Sequence, residues 1–159
     1  MLNKIILASK SKVRKEILDK HKILCEVKPS NIDEDIVKEA LIKESVSPEI
    51  ISKNLAELKA NKISLKETDR LVLGADSVID LNGELISKPE SREEALEILK
   101  KLNGKKHNLI SSVCISKNGS MVWKLVLHLN LLRYLHLKPL NPFDSNSPCW
   151  LLIQLNFLI

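Results

Sequence analysis

The chain predicts an α/β fold, and three observations carry the prediction. The apolar run Ile5, Ile6, Leu7, Ala8 gives way to Val13, Ile17 and Leu18 at helical spacing, which is a strand feeding a helix. Residues 71–89, LVLGADSVIDLNGELISKP, read as a buried strand that ends at Gly74, Ala75 and Asp76, followed by a short strand pair turning at Asn82 and Gly83. Ser91 and Glu94 then form an S-x-x-E capping box ahead of Ala95, Leu96, Ile98, Leu99 and Leu102, so another helix follows the strands.

Composition narrows the function classes. The 159 residues fit one domain or two small lobes around one core, with 44% hydrophobic and 28% charged residues, a soluble balance rather than a disordered one. Aromatics are only 3%, which argues against a single-strand nucleic-acid binder built on stacking platforms. The net charge of +5 is spread among interleaved acids, so it favours an anionic small ligand over a stable nucleic-acid complex. Cys25, Cys114 and Cys149 are far apart without a CxxC pair, which argues against a disulfide framework or zinc site and suits a reduced, cytoplasmic setting. No apolar stretch is long enough to span a bilayer, and no membrane association is expected.

Taken in order, Ser9, Lys10 and Ser11 break the first strand and start the first helix, leaving unpaired backbone N–H groups that favour an anion. Arg14 in the first helical turn opposes the helix dipole unless a phosphate binds there; the plain alternative is a Ser N-cap followed by a solvent-exposed Arg. A second strand covers residues 23–27. Asp33, Glu34 and Asp35 either hold a metal or favour the start of a helix whose apolar face is Ile36, Val37, Ala40 and Leu41. Ser47 and Pro48 open the next helix as N-cap and first residue, with Ile50, Ile51, Leu55 and Leu58 as its expected buried face. Lys59 and Lys62 near its end are accounted for by the helix dipole alone.

In the central stretch Asp76 lies at the C-terminal end of its strand, where α/β proteins place chemistry, and the hairpin after it presents Lys88. Gly104 ends the capped helix, and residues 107–115 alternate as a strand that turns at Asn118 and Gly119 toward Met121, Val122 and Trp123. His107, alone at the strand start, is read as a hydrogen-bonded structural residue. Residues 124–159 are leucine-rich, have Asp144 as their only acid and contain no glycine. They form an atypical tail with the character of a shifted reading frame, and Trp150 to the end is an aggregation hazard if exposed.

These residues carry a resemblance. LASKSKVRKEIL at 7–18 is similar to LASxSPRRxELL, LAELKA at 55–60 to LAxxKA, and residues 74–107 to GADTVVxxxGxxLgKPxdxxeAxxmLxxLsGxxH. Together, in this order, they resemble the Maf family of nucleoside triphosphate pyrophosphatases across about residues 2–123. The resemblance implies an elongated mixed sheet with flanking helices and a central groove, shared with inosine-triphosphate pyrophosphatases. It also implies hydrolysis of a nucleoside triphosphate to monophosphate and pyrophosphate with a divalent cation, Mg or Mn, and it is compatible with a homodimer.

By the same resemblance Asp76 is the catalytic acid and a metal ligand, with Asp33 or Glu34 assisting the metal. Ser9 and Arg14 grip phosphate, Lys59 and Lys88 neutralise the leaving pyrophosphate, and Ser77 and Val13 complete the substrate contacts. Val13 stands where the family has its first arginine, a position tied to base choice, and Ser77 where Thr is common. The family's AGxYxxQG segment has no counterpart after Trp123, which predicts weak or absent turnover. A non-catalytic nucleotide-binding remnant is the alternative.

Overall fold

The computed structural model describes residues 4–132. One mixed sheet of six strands forms the centre. β1 (Ile5–Leu7) lies parallel between β2 (Cys25–Val27) and β3 (Val72–Leu81). On the far edge of β3 the antiparallel β5 (Lys106–Lys117) and then β6 (Ser120–Leu132) complete the order β2-β1-β3-β5-β6. The short β4 (Glu84–Ile86) folds back on β3 through the Asn82-Gly83 turn, where both residues have positive φ and the Asp80 carboxylate accepts from the Gly83 N–H at 2.6 Å.

Local signals set the helices. Ser11 caps α1 (Lys12–Lys20) by accepting from the Arg14 N–H, and Asp33 does the same for α2 (Glu34–Lys43) through the Ile36 N–H. Ser47 caps α3 (Pro48–Ser64) with Pro48 in its first turn. Ser91 caps α4 (Arg92–Leu102); its box closes one residue early, since the Glu94 carboxylate accepts from the Glu90 N–H at 2.8 Å rather than from Ser91. Gly104, at φ +69°, follows the helix as expected.

The packing corrects several expectations. In α3, Ile51 and Leu55 are buried, but Ile50 and Leu58 are 46% and 43% exposed; the stripe on the sheet is Ile51, Ser52, Leu55, Ala56, Lys59 and Ala60. The small members of that stripe let α3 approach β3 at Gly74, so the contacting face is chosen by close approach rather than by bulk. Neither α1 nor α2 buries a residue, and Ile36 is 65% exposed, so the apolar face read for α2 is only partly covered by α3. α4 instead closes a separate cluster of Ile79, Leu81, Ile86 and Leu102.

β6 runs unbroken through Trp123 to Leu132, paired with β5 down to Lys106. On the sheet face turned away from α3 it presents Trp123, Leu125, Leu127 and Leu129, all between 41% and 55% exposed among the described residues. The tail beyond Leu132 lies outside the described residues, as does Cys149. Cys25 and Cys114 are free thiols. No described helix is long and apolar enough to cross a membrane.

Candidate active site

β3 does not end at Asp76; it continues to Leu81 because β5 pairs with it from Val72 to Asp80. The other edge of β3 explains why the carboxylate is nevertheless accessible to a ligand. There β1 pairs only at Val72 and Leu73, and β4 only from Ile79 onward, so on this edge residues 74–78 have no strand beside them among the described residues. Asp76 sits in the middle of that gap, over a groove of about 520 Å³, a volume ordinary for a small-molecule site.

Arg14 extends the broken ladder. Leu71 and Leu73 carbonyls accept from the Ile6 and Ala8 N–H groups at 2.9 and 2.8 Å, and the next carbonyl on that edge, Ala75, accepts from Arg14 Nη1 at 2.9 Å. The same Nη1 donates to Ser9 Oγ at 3.1 Å, and Ser9 Oγ also accepts from the Ser11 N–H at 3.2 Å. Ser9 thus organises the turn with its two acceptor sites, leaving its own proton to donate into the groove. Arg14 Nη2 is buried without a partner among the described residues, and burial pulls the guanidinium below its usual range while Asp76 and Glu34 oppose that shift. Arg14→Met removes the charged donor beneath Ala75 and is expected to cost about 1–3 kcal/mol, measured as a lower midpoint in urea unfolding.

Lys59 is not a helix-end cation. It lies a full turn before the end of α3, is 5% exposed, and reaches Asp76 Oδ1 at 2.7 Å and Glu34 Oε1 at 2.9 Å. Asp76 is also 5% exposed, and its second oxygen, Oδ2, is buried with no hydrogen-bond partner among the described residues. Burial pushes the Asp76 carboxyl above the ordinary Asp range and Glu34 adds to this, while Lys59 and Arg14 pull the other way without overcoming it. Ser52, fully buried on α3, donates to the Asp76 carbonyl at 3.3 Å and fixes the backbone beneath the carboxylate.

The groove therefore brings together Ser9, Val13, Arg14, Glu34, Lys59, Asp76, Ser77 and Lys88. Asp33 is not among its lining residues; its carboxylate caps α2 and aims at the Ile36 N–H. Ser77 Oγ lies 3.0 Å from Ser111 Oγ on β5. His107 is buried, with Nδ1 3.1 Å from the Lys105 carbonyl oxygen. Lys38, unanticipated from the sequence, also lines the groove; one turn after Glu34 on the same helix face, it is legible from the i,i+4 spacing once Glu34 is placed.

Among the described residues no three His, Cys, Asp or Glu side chains cluster as a metal cage. Two carboxylates, Asp76 with its unpartnered Oδ2 and Glu34, fit a hard divalent cation of the Mg type, which keeps several waters and takes further oxygens from a substrate's phosphates.

The chain is similar to known proteins. The chain is 70% identical over 123 residues to a nucleoside triphosphate pyrophosphatase of Pelagibacter ubique, covering 77% of this chain and 63% of that one. It is 42% identical to a protein of the same name from Ruegeria pomeroyi, covering 80% and 64%. A 7-methyl-GTP pyrophosphatase of Brucella abortus is 35% identical, covering 79% and 63%. The chain thus spans just under two thirds of the length of these relatives. Residues 4–132 match the family described as Maf-like protein, from the first strand to the last described one, and the chain belongs to the Maf family.

Proposed function

We propose that the groove hydrolyses nucleoside triphosphates between the α- and β-phosphates, releasing a nucleoside monophosphate and pyrophosphate. The observation that carries this reading is a pair of buried polar atoms of opposite character on residues that line one groove, Arg14 Nη2 and Asp76 Oδ2, neither of which has a partner among the described residues. Buried polar groups are normally satisfied, so two unsatisfied ones facing a groove mark places for a ligand's atoms. A phosphate oxygen suits the guanidinium, and a water or cation suits the carboxylate.

Each side chain has a task that follows from its position. Asp76, held by the sheet and by Ser52, accepts a proton from the attacking water; burial raises its pKa above the ordinary Asp range, which makes it a stronger base than an exposed Asp. Arg14 offers Nη2, and Ser9 its hydroxyl proton, to phosphate oxygens at the start of α1. Lys59 and Lys88 supply positive charge as it is needed on the departing pyrophosphate. Glu34 and Asp76 would hold a divalent cation, Mg or Mn, which would supply charge neutralisation for the phosphates. Val13 and Ser77 line the space left for the nucleoside. The finer parts of the reading are a cytoplasmic setting, no stable nucleic-acid complex and a homodimeric assembly.

A nucleotide-binding module without turnover is the second reading. It is favoured by the contact of Lys59 with Asp76 Oδ1, which already occupies half of the carboxylate. Steady-state assay with and without a chelator separates the two. The enzyme reading expects pyrophosphate release that stops with chelation and returns with added Mg or Mn, with nucleotide binding retained. Binding without release under every metal condition supports the module.

A further inference from the structure

Lys59 stands apart from the other groove cations in what it touches. Lys88 is exposed on the loop after β4, whereas the side chain of Lys59 is 6% exposed and its ammonium bonds two carboxylates at once, Asp76 Oδ1 from β3 and Glu34 Oε1 from the first turn of α2. Its backbone is fixed, because the neighbouring Ala56 and Ala60 pack on Gly74 and Cys114. Two carboxylates held this close, one of them the buried Asp76, repel unless a cation lies between them. Arg14 does not fill that place; its Nη1 is committed to Ser9 and Ala75. Lys38, near the other Glu34 oxygen at 4.0 Å, pairs among the described residues with that carboxylate and its helical neighbour Asp35, not with Asp76.

We infer that Lys59 is a built-in cation that keeps Asp76 and Glu34 together while the groove is empty and yields that place to a divalent cation. The inference rests on the metal reading given above and adds that the protein competes with its own metal. Lys59, once released, is free to turn toward the phosphates, so its charge neutralises the carboxylates first and the substrate's tail afterwards. The affinity of the two carboxylates for a divalent cation alone is therefore held down by Lys59, and removing its charge raises that affinity.

The test is Mn binding to the purified full chain without nucleotide, followed by the electron paramagnetic resonance signal of free Mn. Lys59→Met is expected to bind Mn on the order of tenfold more tightly than the wild type, and Lys59→Arg, which keeps the charge, to stay near the wild type. Equal or weaker binding by Lys59→Met overturns the inference. A second measurement uses the wild type alone, in case the variant does not fold. Saturating Mn should raise the labelling of Lys59 by an acylating amine reagent, and unchanged or reduced labelling overturns the inference. Absence of Mn binding by both wild type and Lys59→Met removes the metal reading together with the inference, whereas equal binding by the two removes the exchange alone.

Discussion

Asp76→Asn is expected to lower turnover by about 10³-fold while leaving nucleotide affinity within a few-fold of the wild type. The amide keeps the volume and one acceptor but loses the charge and the basicity, the contributions for which general-base catalysis is worth about 10² to 10⁴. Arg14 and Ser9 do not touch the Asp76 side chain among their hydrogen bonds, so phosphate binding at α1 survives. Steady-state kinetics for turnover and calorimetry for binding separate the two effects. An Asn variant that loses binding and turnover alike would show that Asp76 shapes the groove rather than acting on water.

The same substitution has a stability signature whose sign follows from burial. The folded-state pKa of Asp76 is raised above the ordinary Asp value of 3.8, so the folded chain holds this proton more tightly than the unfolded chain. Stability from this group is present below that value and is lost as pH rises through the raised pKa. Asp76→Asn removes the loss. The difference in unfolding free energy, variant minus wild type, is expected to grow in the variant's favour as pH rises from about 4 toward neutrality. Exposed carboxylates such as Glu26 and Asp69, lowered by their hydrogen bonds, act in the opposite direction but cancel in the difference.

Gly74→Ala is expected to be the most destabilising small substitution in the chain, by about 3 kcal/mol or more, against a total folding stability of about 5–15 kcal/mol. A methyl group there overlaps the Ala56 carbonyl oxygen and stands 2.7 Å from the Ala60 nitrogen, both backbone atoms of α3. Backbone in mid-helix cannot step aside alone; the whole of α3, anchored by fully buried Ile51 and Leu55, must lift from β3. Lifting α3 also draws Lys59 and Ser52 away from Asp76, so residual activity falls with stability. Gly104→Ala is the control. Its φ of +69° costs a side chain about 1 kcal/mol, but a Cβ there meets nothing within 4 Å. Urea unfolding of the two variants checks the ordering, and equal midpoints would contradict the packing argument.

Much of this site is written locally in the sequence. The N-caps at Ser47 and Ser91, the stop at Gly104 and the turns at Asn82-Gly83 and Asn118-Gly119 depend on a few adjacent residues and occur as read, apart from the Glu94 half of the Ser91 box. What failed to show depends on partners distant in sequence. Asp76 looks like a strand end because Gly74 and Ala75 weaken the apolar run, yet the pairing of β5, more than thirty residues later, carries the strand through it. The gap that exposes Asp76 is the difference between two edges of one strand, which no local pattern encodes.

Lys59 illustrates the same limit from the opposite side. A lysine late in a helix is explained adequately by the dipole, and only the contact of α3 with β3 turns it into a buried counter-ion. Hydrophobicity alone places Ile50 and Leu58 in the core, but the close approach at Gly74 selects Ala56 and Ala60 for that face. Asp76, Lys59 and Arg14 stand in three separate family motifs, and the fold brings all three to one groove.

Hydrolysis in water enriched in oxygen-18 tests the central claim most directly. The purified chain is incubated with a nucleoside triphosphate and Mg, and the products are separated and weighed by mass spectrometry. Attack of the Asp76-activated water on the α-phosphorus predicts nucleoside monophosphate carrying one heavy oxygen and unlabelled pyrophosphate, in equal amounts. Label in the pyrophosphate would move the attack to the β-phosphorus. Nucleoside diphosphate with inorganic phosphate, or no product from a folded chain, would contradict the account.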